Sequence, residues 1–114
     1  MQKLVYWEIP SQDVNKDAAF FAELFGWRTE PSGEAYVSFH VDEGLGGGIQ
    51  KVESPPDHGI SVYIGVEDIP PTLAKAEALG AETLHPKTDI GEGWGYWADF
   101  RAPGGARIGL HAKR

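Results

Sequence analysis

Apolar positions recur at two spacings along the chain, and the switches between them lay out its elements. Val14, Ala18, Phe21 and Phe25, with Leu24 beside them, step by three and four residues, the period of one helix face. Asp13 stands where an N-cap side chain accepts from the orphan N–H groups of a first turn. Gly26 stands where a left-handed residue ends a helix. Ile69, Leu73, Ala76 and Leu79 repeat the pattern, opened by Asp68 with Pro70 and Pro71 and closed by Gly80. A strand-like stretch precedes each helix, Tyr6 to Asp13 and Ser61 to Asp68. Segments rich in Gly, aromatic and β-branched residues follow each helix and read as short strands joined by turns.

These landmarks occur twice in one order. Gly33 to Phe39 is answered by Gly93 to Phe100, and the Gly47-Gly48-Ile49 cluster by Gly104-Gly105-Ala106-Arg107-Ile108. The prediction is an α+β chain of two tandem βαβββ modules within one domain, 1–53 and 60–114. The Pro-rich stretch 54–59 is their linker. A dimeric ferredoxin-like βαββαβ fold suits the same length but needs one strand after the second helix. Here Glu82-Thr83-Leu84, Gly95 to Phe100 and Arg107 to His111 supply three.

Composition narrows the function classes. Ten basic against seventeen acidic residues give a net charge of -7. That disfavours nucleic acid, whose binding rests largely on phosphate neutralisation by Lys and Arg, and leaves neutral or cationic small molecules as easier partners. Cysteine is absent, which excludes disulfides and thiolate metal sites. No apolar run approaches the roughly 20 residues of a membrane span, and Met1 to Leu4 lead directly into a strand with no signal-peptide pattern. A cytoplasmic protein without membrane partners is expected.

The duplicated order resembles the vicinal-oxygen-chelate superfamily, the glyoxalase/bleomycin-resistance/dioxygenase group. Glu8-Ile9-Pro10, Asp13, Ala19-Phe20-Phe21 and Leu24-Phe25-Gly26-Trp27 are similar to its first strand and helix. Ala102 to Leu110 is similar to its closing turn and strand, with Ala102 where the family usually has Asp. The resemblance covers nearly the whole chain. It implies that each module curls a mixed sheet around a cup with a helix on the outer face, and that the chain forms a homodimer.

Enzymes of that superfamily hold a divalent ion with one His, Glu or Gln from each of four strands, because the ion needs oxygen or imidazole donors in fixed geometry. Carried over, those positions fall on Tyr6, Ser61, Gly109, and Gly48 or, with a slipped register, Gln50. A neutral phenol, a serine hydroxyl and a glycine are poor replacements for carboxylate and imidazole. The resemblance therefore implies a member without metal or other cofactor. Strand alternation puts Tyr6 with Glu8, Ser61 with Tyr63, and Gly109 with His111 on the cup face. His40, His58 and His85 read as surface residues, and Trp27 as packing.

Tyr6, Glu8, Ser61, Tyr63, Trp94, Trp97, Gly109 and His111 are thus the candidate ligand-binding residues, offering stacking faces, hydrogen bonds and one carboxylate. Three functions stay open. The first is a bleomycin-resistance-like protein that binds an aromatic or cationic small molecule in the cup or dimer cleft. The second is a metal-independent isomerase or lyase with Glu8 or His111 as base. The third is a dimeric interaction domain whose cup is vestigial.

Overall fold

A computed structural model describes residues 2–54 and 59–114. Apart from Ser54 and Gly59, the predicted linker, including His58, lies outside the described residues. No described helix is long and apolar enough to cross a membrane. The elements run β1 (Lys3–Ser11), α1 (Val14–Phe25), β2 (Arg28–Pro31), β3 (Tyr36–His40), β4 (Gly47–Lys51), β5 (Ser61–Gly65), α2 (Ile69–Ala78), β6 (Glu82–Asp89), β7 (Tyr96–Arg101) and β8 (Arg107–Ala112). This is the βαβββ order, twice. The chain divides into two compact units, Tyr6–Ser61, and Val62–Arg114 together with Met1–Val5.

In the first unit the strands lie in the order β2-β3-β4-β1, with β1 parallel to β4 and the other pairs antiparallel. Asp13 caps α1 as its sequence position predicts, accepting from the Lys16 amide at 3.1 Å. Gly26 ends the helix with φ 75°, where glycine has no Cβ to clash. The side of the sheet that meets α1 carries the core: Val37, Phe39 and Ile49 pack with Val14 and Ala18, flanked by Trp7, Ile9, Phe21 and Trp27. Trp27 stacks on Phe39 with centroids 4.5 Å apart, so its predicted packing role holds. The predicted apolar stripe of α1 is narrower than expected, because Leu24 and Phe25 remain more than half exposed.

The second unit repeats this topology as β5-β8-β7-β6, with β5 parallel to β8. Ile69 and Leu73 of α2 meet Ala98, Leu110 and Ala112. Two expectations for α2 fail. The Asp68 side chain makes no capping hydrogen bond, and Leu79 stands 71% exposed past the helix end. Pro70 and Pro71 occupy first-turn positions, where a missing N–H costs little. β6 runs on through His85 and Pro86 to Asp89, well beyond the predicted Glu82-Thr83-Leu84. Proline is tolerated there because β6 ends the strand order, and the pairing with β7 shifts register on either side of His85.

Candidate functional site

In each unit the helix takes the apolar alternate residues, so the other sheet face, the cup face, receives the remaining side chains. In the first unit β1 places Glu8 opposite Gly48 of β4, and β3 places Ser38 on the other side of Gly48. Tyr36, two residues before Ser38 on β3, leans over Gly48 and donates from Oη to Glu8 Oε2 at 2.8 Å. The Tyr6 hydroxyl is hydrogen-bonded to the Tyr36 hydroxyl. The bareness of position 48 makes this reach possible. A Cβ there would lie 2.5 Å from Tyr36 Cε1, with Oη and Cζ nearer still.

Burial raises the Tyr36 hydroxyl far above the ordinary phenol range, reinforced by the negative charge of Glu8 and the bonds to Tyr6 and Glu8. Burial also raises Tyr6; its bond to Tyr36 opposes the shift and the charge of Glu8 adds to it. Both phenols are therefore neutral donors near pH 7 beside the Glu8 side chain.

The second unit builds the corresponding position differently. Tyr63 of β5 is paired with Gly109 of β8, which faces Asp99 of β7. The Tyr63 ring lies over Gly109: a Cβ at 109 would stand 2.5 Å from Cε2 and 2.9 Å from Cγ. Beside it Arg107 donates from Nε to Asp99 Oδ2 at 2.7 Å and from Nη2 to Tyr63 Oη at 3.3 Å. Asp99 is 1% exposed, and its Oδ1 meets His85 Nδ1 at 2.7 Å. Burial pulls the Arg107 guanidinium down, but Tyr63 and Asp99 together outweigh it and hold it above its ordinary value. His85 is mostly exposed, in keeping with its reading as a surface residue, and its ring is also tied to a buried carboxylate. It also tilts against Trp97, with ring centroids 5.2 Å apart.

Among the other predicted residues, Ser61 opens β5 and is half-buried. His111 is paired with Trp97 across β8 and β7, and its Nε2 lies 2.8 Å from the Trp94 carbonyl. A carbonyl only accepts, so Nε2 carries the hydrogen and any basic lone pair sits on Nδ1. Trp94 itself is 68% exposed. An open depression of about 390 Å³ adjoins His111, lined by Gly65, Glu67, Lys113 and Arg114 among others. The structure therefore brings Tyr6 and Glu8 together in one unit, and gathers Tyr63 with Gly109 and His111 with Trp94 and Trp97 in the other. Tyr36, Arg107, Asp99 and His85 are additions to the predicted set.

The family's metal positions can be tested against these contacts. Gly48 and Gly109 offer no donor and lie under tyrosine rings, the Tyr6 hydroxyl is committed to Tyr36, and Ser61 brings only a hydroxyl. The described residues contain no group of three or more His, Cys, Asp or Glu able to hold an ion. This donor set does not fit a divalent metal at those positions.

The sequence profile of the Glyoxalase-like domain matches residues 8–110. A glyoxylase-like domain-containing protein of Didymella fabae is 27% identical, over 74% of this chain and 73% of that protein. A glyoxalase/bleomycin resistance protein/dioxygenase superfamily member from Vibrio splendidus superposes with a TM-score of 0.69 at 20% identity, covering 96% of this chain and 97% of its own. The Mn(II)-bound glyoxalase of Novosphingobium aromaticivorans gives 0.73 at 17% identity over 97% of this chain and 38% of its own. Homoprotocatechuate 2,3-dioxygenase of Brevibacterium fuscum gives 0.75 at 17% identity over 96% and 36%. These structures share the fold and span different chemistries, so they carry no activity over to this chain. With its profile match, its duplicated βαβββ topology and these neighbours, the chain belongs to the glyoxalase-like domain family of the vicinal-oxygen-chelate superfamily.

Proposed function

We propose that this chain is a small-molecule-binding protein that holds a flat, cationic ligand against the Tyr6–Glu8–Tyr36 face without a divalent metal. The observation that carries this reading is the Tyr36 hydrogen bond to Glu8, which fixes a carboxylate on the cup face beside two phenols. Two neutral phenols beside one carboxylate favour a cation. At 4 Å such a pair is worth about 4 kcal/mol at an effective dielectric of about 20. The tyrosine rings supply flat apolar surface next to that charge. The net charge of -7 steers cations toward the protein in the same sense.

Isothermal titration with benzamidinium and its neutral analogue benzamide tests this directly. The wild-type protein binds benzamidinium at least about tenfold more tightly, and Glu8→Gln removes the preference. Exhaustive chelation leaves both values unchanged. Equal affinity for the two probes, or a preference that persists in Glu8→Gln, overturns the reading. Loss of binding on chelation overturns its metal-free part.

A further inference from the structure

The cup face of the second unit carries a cation held against a buried acid. Arg107 shares the face of Gly109, two residues on along β8, and its guanidinium is fixed at two points. Nε donates to Asp99 and Nη2 to Tyr63. A guanidinium has five N–H groups in a rigid fork. Asp99 takes the Nε hydrogen and Tyr63 one of the two on Nη2. One Nη2 hydrogen and both on Nη1 remain, and among the described residues Nη1 meets no hydrogen-bond partner.

We propose that the remaining N–H groups of Arg107 are a binding site for the carboxylate of a small organic acid, with Asp99 and Tyr63 acting as positioning residues. Two coplanar N–H groups match the two oxygens of a carboxylate, which makes the contact bidentate. The side chain is 29% exposed, so a ligand can reach it, and its geometry is already set, so little further freedom is lost on binding. Two opposing charges need weighing. Asp99 lies on the Nε side, divides its oxygens between Arg107 and His85, and is farther from the incoming carboxylate than the guanidinium is; the nearer charge dominates. The net charge of -7 acts over longer distances and is largely screened beyond about 8 Å at physiological ionic strength. This site does not depend on Glu8.

Titration of the ¹⁵N-labelled protein with sodium benzoate, at constant pH and ionic strength, reads the Nε–H resonance of Arg107. A saturable shift is expected, with a smaller response to inorganic phosphate and none to benzamide. Arg107→Lys keeps the charge but loses the fork, and weakens benzoate binding by at least about tenfold, whereas Arg28→Lys, on β2 of the other unit, leaves it unchanged. Should Arg107→Lys fail to fold, Tyr63→Phe removes one positioning contact, keeps the charge, and is expected to weaken binding in the same direction. No saturable shift in the wild-type protein, or equal affinity in the folded Arg107 or Tyr63 variant, overturns the proposal. A tighter response to phosphate than to benzoate overturns the carboxylate class. Benzamidinium binding, measured separately, reports on Glu8 alone, so either reading can fail without the other.

Discussion

Replacing Gly48 with alanine isolates the contact on which the Tyr6–Tyr36–Glu8 arrangement depends. The backbone at Gly48 is not left-handed, so alanine meets no conformational penalty there. The three nearest atoms to the new Cβ all belong to the Tyr36 side chain, the farthest of them at 2.5 Å. These cannot coexist, and Tyr36 must swing away and release both Glu8 and Tyr6. A hydrogen bond to a charged group is worth about 1.5–3 kcal/mol and a neutral one about 0.5–1.5. Alanine returns roughly 0.5–1 kcal/mol by its smaller entropy loss in a strand. The net cost is about 1.5–3.5 kcal/mol.

Urea denaturation measures it. For a slope near ~1.5 kcal/mol/M the midpoint falls by roughly 1–2 M. The decisive comparison is Gly48→Ala in a Tyr36→Ala background. With the ring gone the three closest contacts of the added methyl are removed, and the same substitution is expected to become neutral or slightly stabilising. An equal penalty in the two backgrounds would refute the reasoning, because the cost would then come from some contact other than the one with Tyr36.

Other consequences follow from the same geometry. The raised Tyr6 and Tyr36 hydroxyls keep their protons in the folded chain after the unfolded chain has lost them, so the unfolded state binds fewer protons above about pH 10. Stability is therefore retained below that pH and falls as pH rises past it, and urea midpoints in Tyr36→Phe should fall less steeply. Arg107→Ala leaves the buried Asp99 with His85 as its one remaining side-chain partner among the described residues and is expected to cost about 3 kcal/mol. Asp99→Ala leaves behind only partly exposed groups and should cost about 1–3 kcal/mol; the reverse order of urea midpoints would contradict the assigned burial. Gly26→Ala, at φ 75° with nothing within 4 Å of its Cβ, should cost about 1–2 kcal/mol by backbone strain alone.

The elements of this fold were legible because each carries its own signal. Asp13 and Gly26 bracket α1 by chemistry that needs no tertiary partner, and Val14 and Ala18 reach the core at the spacing their sequence shows. The limits of that reading lie where a neighbour decides. Asp68 has the residue type of a cap but makes no capping bond, and Leu79 fits the stripe but falls beyond the helix end. Pro86 reads as a strand terminator, yet its place on the last strand of the order exempts it.

At the site the division is similar. The alternation that puts His111 beside Gly109 also puts Arg107 there, so Arg107 was readable from β8 alone. Tyr36 and Asp99 were not. Their relevance depends on which residue of the next strand each faces, and register between strands is set by the whole sheet. His85 is the extreme case, since its bond to Asp99 arises where β6 slips register against β7.

The two units show how a duplicated sheet can diverge on one face while the other is held fixed. Pairing places Glu8 opposite Gly48 and Tyr63 opposite Gly109, with Ser38 and Asp99 as the antiparallel partners of those glycines. The alternate residues facing the helices, Phe39 and Ile49 in one unit and Ala98 and Leu110 in the other, are buried and apolar in both, because each replaces water with a packed core. The cup face carries no such requirement. A carboxylate at 8 has become a phenol at 63, and a hydroxyl at 38 a carboxylate at 99, while each bare glycine lies beneath a tyrosine ring. One unit consequently arranges neutral phenols around an anion, and the other ties a guanidinium to a buried acid. Both phenols of the first stay protonated and Arg107 stays charged at neutral pH. The same fold thus presents two chemically unlike cup faces, a difference created on β1, β3, β5, β7 and β8 with no change in strand order.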